Sequence, residues 1–432
     1  MPVALFDTFA SFRHRNYRLF FLGQTISLVG SWMQAVAQGW LVLLLTDAAF
    51  MLGLAGAMNT LPLLLFSFWG GVVADQGDKR RLLLATNTAG LCLALTLGLL
   101  VWTETVSVGM IMVLLFGVGT ALAFDIPGRQ AFIVDLVGKG DLPNAIALNS
   151  SLFNGTRALG PAFAGLLIAS VGMANCFFLN AMSYLAPLLC LWLMRLPMRQ
   201  APPNRLRTIA GTRELFQFIA RRRPELGWIM AILAVDSVFA LSYAVLMPII
   251  ARDILQAGPT GYGFLMAASG VGAFFGALAL AGLIRRHPPM VFFWGGTALM
   301  LLALFLLSCT RSFPLALVFL FGTGFGMTIT ISTGNSLVQL HVPDGMRGRI
   351  MSLFGLTFLG FTPLGNFLYG LLGHYVGPCL TIRLGTTLAA LLGLACFVAR
   401  PELRRLLFTS ELPAAEAGSR KERAPAALDD SG

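Results

Sequence analysis

Twelve glycines in the first half of this chain recur 205 residues later. Gly53, Gly56, Gly71, Gly77, Gly90, Gly117, Gly119, Gly140, Gly155, Gly160, Gly165 and Gly172 fall in register with Gly258, Gly261, Gly276, Gly282, Gly295, Gly322, Gly324, Gly345, Gly360, Gly365, Gly370 and Gly377. Chance at this glycine content would give roughly three such pairs. Arg80-Arg81 meets Arg285-Arg286, and Leu166-Leu167 meets Leu371-Leu372, at the same offset. The chain is therefore two parallel copies of one long unit. Both copies are almost continuously apolar. Of 432 residues 57% are hydrophobic and only 11% charged, against about 25% charged in a soluble domain. A duplicated bundle of membrane-spanning helices satisfies its backbone hydrogen bonds within each segment, and it is the architecture this pattern allows.

Apolar runs of spanning length place six helices near 17–46, 50–75, 82–102, 106–127, 144–171 and 174–195. Six more lie near 225–251, 256–282, 288–309, 312–336, 349–376 and 379–399. The runs are too long, and too evenly apolar, for the short alternating strands of a membrane barrel. The expected fold is an all-α membrane protein of twelve transmembrane helices in two six-helix halves. The halves cover 1–195 and 225–400, a basic linker covers 196–224, and 401–432 form a largely disordered tail rich in Ala, Glu, Pro and Ser. The N-terminus, the even-numbered connections and the tail hold 26 of the 30 basic residues. That bias puts both termini, the linker and the tail in the cytoplasm. It also accounts for the net charge of +11 through anionic lipid rather than nucleic acid.

Catalytic and cofactor chemistry find no purchase in the sequence. Six cysteines are scattered without a CxxC pair, so neither a disulfide framework nor a metal site is expected. There is no G-x-x-x-x-G-K-[ST] loop for ATP and no Ser/His/Asp set. The chain is expected to be no enzyme and to need no cofactor.

The connection after the second span runs Gly71-Val-Val-Ala-Asp75-Gln76-Gly77-Asp78-Lys79-Arg80-Arg81. Twelve spans as six plus six, with this G-x-x-x-D-x-x-D-K-R-R segment, resemble the major facilitator superfamily. Asp125-Ile-Pro-Gly-Arg129-Gln-Ala-Phe and Asp141-Leu-Pro-Asn-Ala-Ile-Ala-Leu-Asn149 are similar to the branch that holds the enterobactin exporter and the macrolide efflux proteins. The resemblance implies a bacterial cytoplasmic-membrane transporter that acts as a monomer on a small molecule. It also implies a gating latch at Gly71, Asp75, Asp78, Lys79, Arg80, Arg81, Asp125 and Arg129. The usual arginine after the loop aspartate is Gln76 here, and the second copy has Leu280 opposite Asp75, so the latch is asymmetric. Gly155-Thr-Arg157-Ala-Leu-Gly160-Pro161-Ala-Phe-Ala-Gly165 resembles the span-five signature of drug/proton antiporters and points to export. Close packing of small residues explains the same spacing, since Gly360, Gly365 and Gly370 repeat it without the proline.

A charge at mid-membrane costs about 2.5–3.5 kcal/mol on insertion scales, so each one demands a reason. Arg157 falls near the middle of span five and cannot lose its charge. Asp236 falls near the middle of span seven and can be neutralised by a proton. Both are candidates for proton coupling, Asp236 the stronger. Asp125 lies one turn from Arg129, which suits a structural pair. In span one, Gln24, Ser27, Ser31, Gln34 and Gln38 form a single helical stripe, which must face a wet cavity or another helix. Ser31 is the first-copy equivalent of Asp236. Asn59, Asn149, Asn154, Tyr184, Asn335, Gln339 and Asn366 are further candidates for the lining of a substrate cavity. The function expected is proton-coupled export of amphipathic organic molecules, of siderophore or drug class. Uptake by the same fold and a non-transport scaffold or receptor are the alternatives.

Overall fold

The computed structural model describes residues 9–138, 140–195, 218–219, 223–283, 287–342 and 346–405. Lys139, nearly all of the 196–224 linker, Arg285, Arg286, the side chains of Arg347 and Arg349, and the tail beyond 405 lie outside the described residues. The described chain is helical with short connections. Its long helices are α1 (Arg15–Thr46), α2 (Ala49–Gln76), α3 (Lys79–Trp102), α4 (Val108–Val137), α5 (Leu142–Val171) and α6 (Met173–Leu193). After the linker come α7 (Pro224–Ile254), α8 (Gly258–Leu283), α9 (Pro289–Leu307), α10 (Phe313–His341), α11 (Arg347–Gly360 and Thr362–Val376) and α12 (Pro378–Ala399). Eleven of these are long and apolar enough to cross a membrane. The exception is α5, 30 residues long but diluted by Asn149, Ser150, Ser151, Asn154 and Arg157.

The repeated glycines divide into physical roles, and repeat partners share them. Gly119 and Gly324 let a helix cross its neighbour at backbone contact: a Cβ there would lie 2.2 Å from the Asn59 carbonyl and 1.8 Å from the Ser269 carbonyl. Gly160 does the same for α5 on α1, beside Val29 and Trp32, and Gly365 for α11 on α7, beside Val238 and Ser242. Gly172 and Gly377 end α5 and α11 with φ of 88° and 86°, a backbone region that costs an L side chain strain. A spacing conserved between copies therefore records shared helix crossings and shared caps.

The two copies meet along two seams, α2 against α11 and α5 against α8. Along them, a Cβ on Gly53 would lie 2.4 Å from Gly370 Cα, and one on Gly263 would lie 2.7 Å from Gly165 Cα. These contacts sit toward the end of the bundle that carries Asp47. There a single apolar core joins both copies, running through Trp40, Leu43, Leu52, Phe177, Leu246, Ile250 and Tyr369. Toward the Lys79 end the core divides. One cluster holds only first-copy residues such as Tyr17, Phe132 and Leu191. The other holds only residues beyond 218, such as Ile229, Phe293 and Val338. Gly71, Gly155 and Gly355 on the seam helices meet no neighbouring atom within 4 Å. Among the described residues the core is wedge-like, joined across the copies at the Asp47 end and divided between them at the Lys79 end.

Candidate functional site

Helix α7 is not uniform. Its α-helical part ends at Phe239, a 3₁₀ stretch runs over Leu241–Leu246, and a π-helical turn closes it at Ile250–Ile254. Pro248, inside the irregular stretch, donates no N–H and so frees the Ala244 carbonyl, which the Met247 amide takes instead. At the start of the break, carbonyls are met by side chains. Tyr369 donates to the Phe239 carbonyl, and Ser242 Oγ donates to the Ser237 carbonyl at 3.2 Å. Asp236 sits in the last α-helical turn before this break, 4% exposed. Its Oδ2 is sealed with no hydrogen-bond partner among the described residues. An orphaned carboxyl oxygen beside a broken helix is a costly arrangement, of the kind transporters build at ion and substrate sites.

Arg157 lies at the apex of the wedge. Its backbone touches α8, where a Cβ on Gly270 would meet the Arg157 carbonyl at 2.4 Å, while Gly155 half a turn away meets nothing. The guanidinium reaches Ser269 Oγ at 3.4 Å and Met327 Sδ at 3.7 Å, and its carbon stands 5.9 Å over the Trp32 ring. Ser269 in turn shares a hydrogen bond of 3.2 Å with the Tyr243 hydroxyl. No carboxylate among the described residues pairs with Arg157, and Asp236 is not its partner.

Asp125 and Arg129 form an ion pair at 2.7 Å. Arg129 also donates to Gln24 Oε1 at 2.9 Å, and Thr86 donates to Asp125 at 2.9 Å, so this network ties α1, α3 and α4 together. The span-one stripe is mostly buried against the first copy. Gln24 takes the Arg129 bond, Gln34 accepts from Asn180 at 2.6 Å, and Ser31 bonds back to the Ser27 carbonyl. Gln38 Nε2 and Asn59 Oδ1 are sealed without partners. Asn366 packs over Gly56 on the α2–α11 seam, and Tyr184 lies against Gly90. Asn154 bonds its own helix at Ser150, and Asn335 bonds Gln339, which is exposed; Asn149 is half-buried on the same face of α5 as Arg157's open side. Gly160, Pro161 and Gly165 carry the packing of α5 against α1 and α8.

At the Lys79 end the three cations of the latch segment have distinct partners. Lys79 pairs with Asp135 at 2.6 Å, Arg80 donates to the Trp192 carbonyl at 3.1 Å, and Arg81 meets Asp78 at 3.4 Å. Asp78 also caps α3 through the Arg80 and Arg81 amides. Asp141, from the second branch-like motif, binds His14 at 2.7 Å, and Asn144 accepts from the Ser11 amide, so that motif docks the N-terminal segment. An apolar pocket of about 620 Å³ lies between α3 and α4, lined by Leu82, Thr86, Cys92 and Phe124. It belongs to the first copy alone and is no part of the seam.

Several groups escaped the sequence reading. Ser269, Tyr243, Met327 and Trp32 gather at Arg157 from four distant helices, and nothing local marks them. Asp135 had only its charge to announce it. Arg383 was passed over inside span twelve; it binds the Ser308 carbonyl at 3.2 Å near a helix end. Arg252 reaches across the copies to Asp47 and also holds Asp253 at 2.5 Å. Asp47 and Arg252 are 205 residues apart, so the repeat itself pointed to that pair.

Residues 6–417 match the family of transmembrane secretion effectors. The chain belongs to that family of major facilitator transporters. The staphyloferrin A transporter of Staphylococcus aureus is 25% identical to it over 83% of this chain and 90% of its own length. The multidrug efflux pump Tap of Mycolicibacterium fortuitum is 26% identical over 88% and 95%. The enterobactin exporter of Salmonella choleraesuis is 26% identical over 94% and 96%. Among solved structures, a bacterial homologue of the lysosomal transporter Spinster superimposes with a TM-score of 0.70, at 15% identity, over 91% of this chain and 97% of that one. The family membership agrees with the resemblance carried by the latch segment and the Asp125 and Asp141 motifs. The protein is a multi-pass helical membrane transporter.

Proposed function

We propose that this protein exports amphipathic organic molecules, of siderophore or drug class, across the bacterial cytoplasmic membrane by proton antiport. The observation that carries the reading is Asp236: a buried carboxyl with an orphaned oxygen, placed beside a broken helix, in a bundle sealed at one end and parted at the other. Protonation of such a group changes the cost of burying it, and so biases which end of the wedge is closed. The basic residues place the Lys79 end, both termini and the linker on the cytoplasmic side. In that orientation the divided end of the core would face the cytoplasm, and substrate for export would enter from there. A proton moving inward down the membrane potential supplies about 2.3 kcal/mol per 100 mV to drive the cycle. The half-buried polar groups along the parted seam, Asn149, Asn154 and Asn335 among them, would line the substrate's route. Asp75 and the neighbouring cations would act as a gating latch at the Lys79 end. The transporter would work as a monomer. The names of the relatives, a siderophore transporter, a siderophore exporter and a multidrug pump, support the substrate class.

The test is accumulation. Cells with the gene should retain less ethidium and less macrolide, or release more siderophore, than cells without it. Dissipating the proton gradient should abolish the difference. Higher accumulation in cells with the gene would favour uptake by the same fold, and no difference for any of these compounds would sink the reading.

A further inference from the structure

The guanidinium of Arg157 is a permanent charge placed in the middle of an apolar bundle. Such a group is expected to have an anion beside it, and among the described residues it has none. Its two protein bonds are long, 3.4 Å to Ser269 Oγ and 3.7 Å to Met327 Sδ, and both come from one nitrogen, Nη2. The remaining donors, on Nε and Nη1, bond to no protein group, and neither is among the polar atoms sealed from solvent. They therefore look into space that a ligand can enter. The contrast is Arg129, whose Nε is sealed and whose charge is met by Asp125 at 2.7 Å.

The surroundings define what would enter. Trp32 stands under the guanidinium, and Phe153 meets Trp32 edge-on with ring centroids 5.6 Å apart. Phe153 is among the exposed large hydrophobic residues, so one face of this aromatic pair is open. Across the seam, the Ser269 and Tyr243 hydroxyls are linked at 3.2 Å. A planar forked cation beside a flat apolar wall and a hydroxyl pair suits a planar oxyanion attached to an aromatic or otherwise flat body.

We propose that Arg157 anchors a carboxylate, or a similarly delocalised oxyanion, on the transported molecule, with Trp32 and Phe153 covering its flat apolar part. This rests on the transport reading and narrows its substrate class to organic anions. It also gives the two buried charges separate tasks. Arg157 holds the substrate, and Asp236 holds the proton. Because the anchor takes Ser269 and Tyr243 from one copy and Arg157 and Trp32 from the other, a bound anion touches both sides of the wedge and senses its closure.

1-Pyrenecarboxylic acid and its methyl ester are flat fluorescent dyes that differ at one group, the free carboxylate, and the ester carries no other oxyanion. Binding of each to the purified full-length protein is read by fluorescence polarisation. Wild type should bind the acid about tenfold more tightly than the ester, a typical worth for a charge-assisted pair. Arg157→Gln should bind the ester unchanged and lose the preference, and Arg157→Lys should keep part of it, because it keeps the charge but not the fork. Monodispersity and thermal unfolding of each variant show whether it is folded; if Arg157→Gln does not fold, the Arg157→Lys comparison carries the test. Equal affinity of wild type for acid and ester would overturn the proposal. So would an acid preference that survives in Arg157→Gln, or an undiminished one in Arg157→Lys, or a wild type that binds neither dye. Failure of the transport reading itself would show separately, as no difference between cells with and without the gene in release of an anionic siderophore.

Discussion

Helices α1 and α7 stand at equivalent places in the two copies and have reached opposite solutions to the same problem. Each must carry polar groups through an apolar bundle. In α1 the helix is continuous over 32 residues, and its polar stripe is spent on neighbours: Gln24 on Arg129, Gln34 on Asn180, Ser31 on its own backbone. In α7 the position equivalent to Ser31 is Asp236, its Oδ2 has no partner, and the helix breaks four residues later. A polar stripe satisfied along most of its length, Gln38 Nε2 being the exception among the described residues, makes a stiff strut. An unsatisfied acid beside a break in the helix makes an element whose charge and shape can both change. The difference teaches that the duplication supplied the scaffold, and that the chemistry came from departing from it in one copy. The two helices remain tied where Arg252 meets Asp47, at the sealed end.

The harshest way to break this comparison is to exchange the two residues, Ser31→Asp with Asp236→Ser in one chain. The acid would then sit on a packed, unbroken helix. Transport in cells is expected to fall by about tenfold or more, because a carboxyl near the same depth but without the broken helix does not couple. Retained transport would show that the two first helices are interchangeable. Next in size is Tyr369→Phe, which removes the donor to the Phe239 carbonyl at the break. Thermal unfolding in detergent should show a loss of about 1 kcal/mol, whereas the α1 change Ser31→Ala should cost less, since the Ser31 hydroxyl is held first by its own helix at the Ser27 carbonyl. Equal effects would mean the break needs no special support. The smallest effect is expected at the tie between the helices. A double-mutant cycle with Asp47→Asn and Arg252→Gln should give a coupling of about 0.2–1 kcal/mol, as for other exposed pairs, and a coupling of zero would remove the tie from the account.

The fold was largely legible because its signals are long and redundant. Spanning runs of apolar residues and a 205-residue register of glycines fix helices and copies together. The register even explains why α5 belongs to the bundle despite its polar face, since Gly160 and Gly165 repeat at Gly365 and Gly370. The site was half legible. Asp236 and Arg157 stood out because a buried charge needs a reason wherever it falls. Their separation did not, because whether two helices bring charges together depends on rotations that no local pattern records. The break in α7 after Phe239 has no local marker, since Pro248 frees only the Ala244 carbonyl further along. The Asp47–Arg252 tie was available from the register and was lost by treating connection charges only as markers of sidedness. Most of the span-one stripe proved to serve packing, which periodicity alone does not distinguish from cavity lining.

The central claim is that Asp236 exchanges the coupling proton. The direct measurement uses proteoliposomes loaded with an anionic siderophore, comparing wild type with Asp236→Asn at equal protein content. Two conditions separate coupling from binding: efflux into an acidic bath, where protons run inward as substrate leaves, and exchange of the siderophore at equal pH on both sides. Wild type should show efflux accelerated by the gradient. Asp236→Asn mimics the protonated acid, and should keep exchange while its efflux no longer responds to the gradient. Gradient-driven efflux at the wild-type rate in Asp236→Asn would contradict the account.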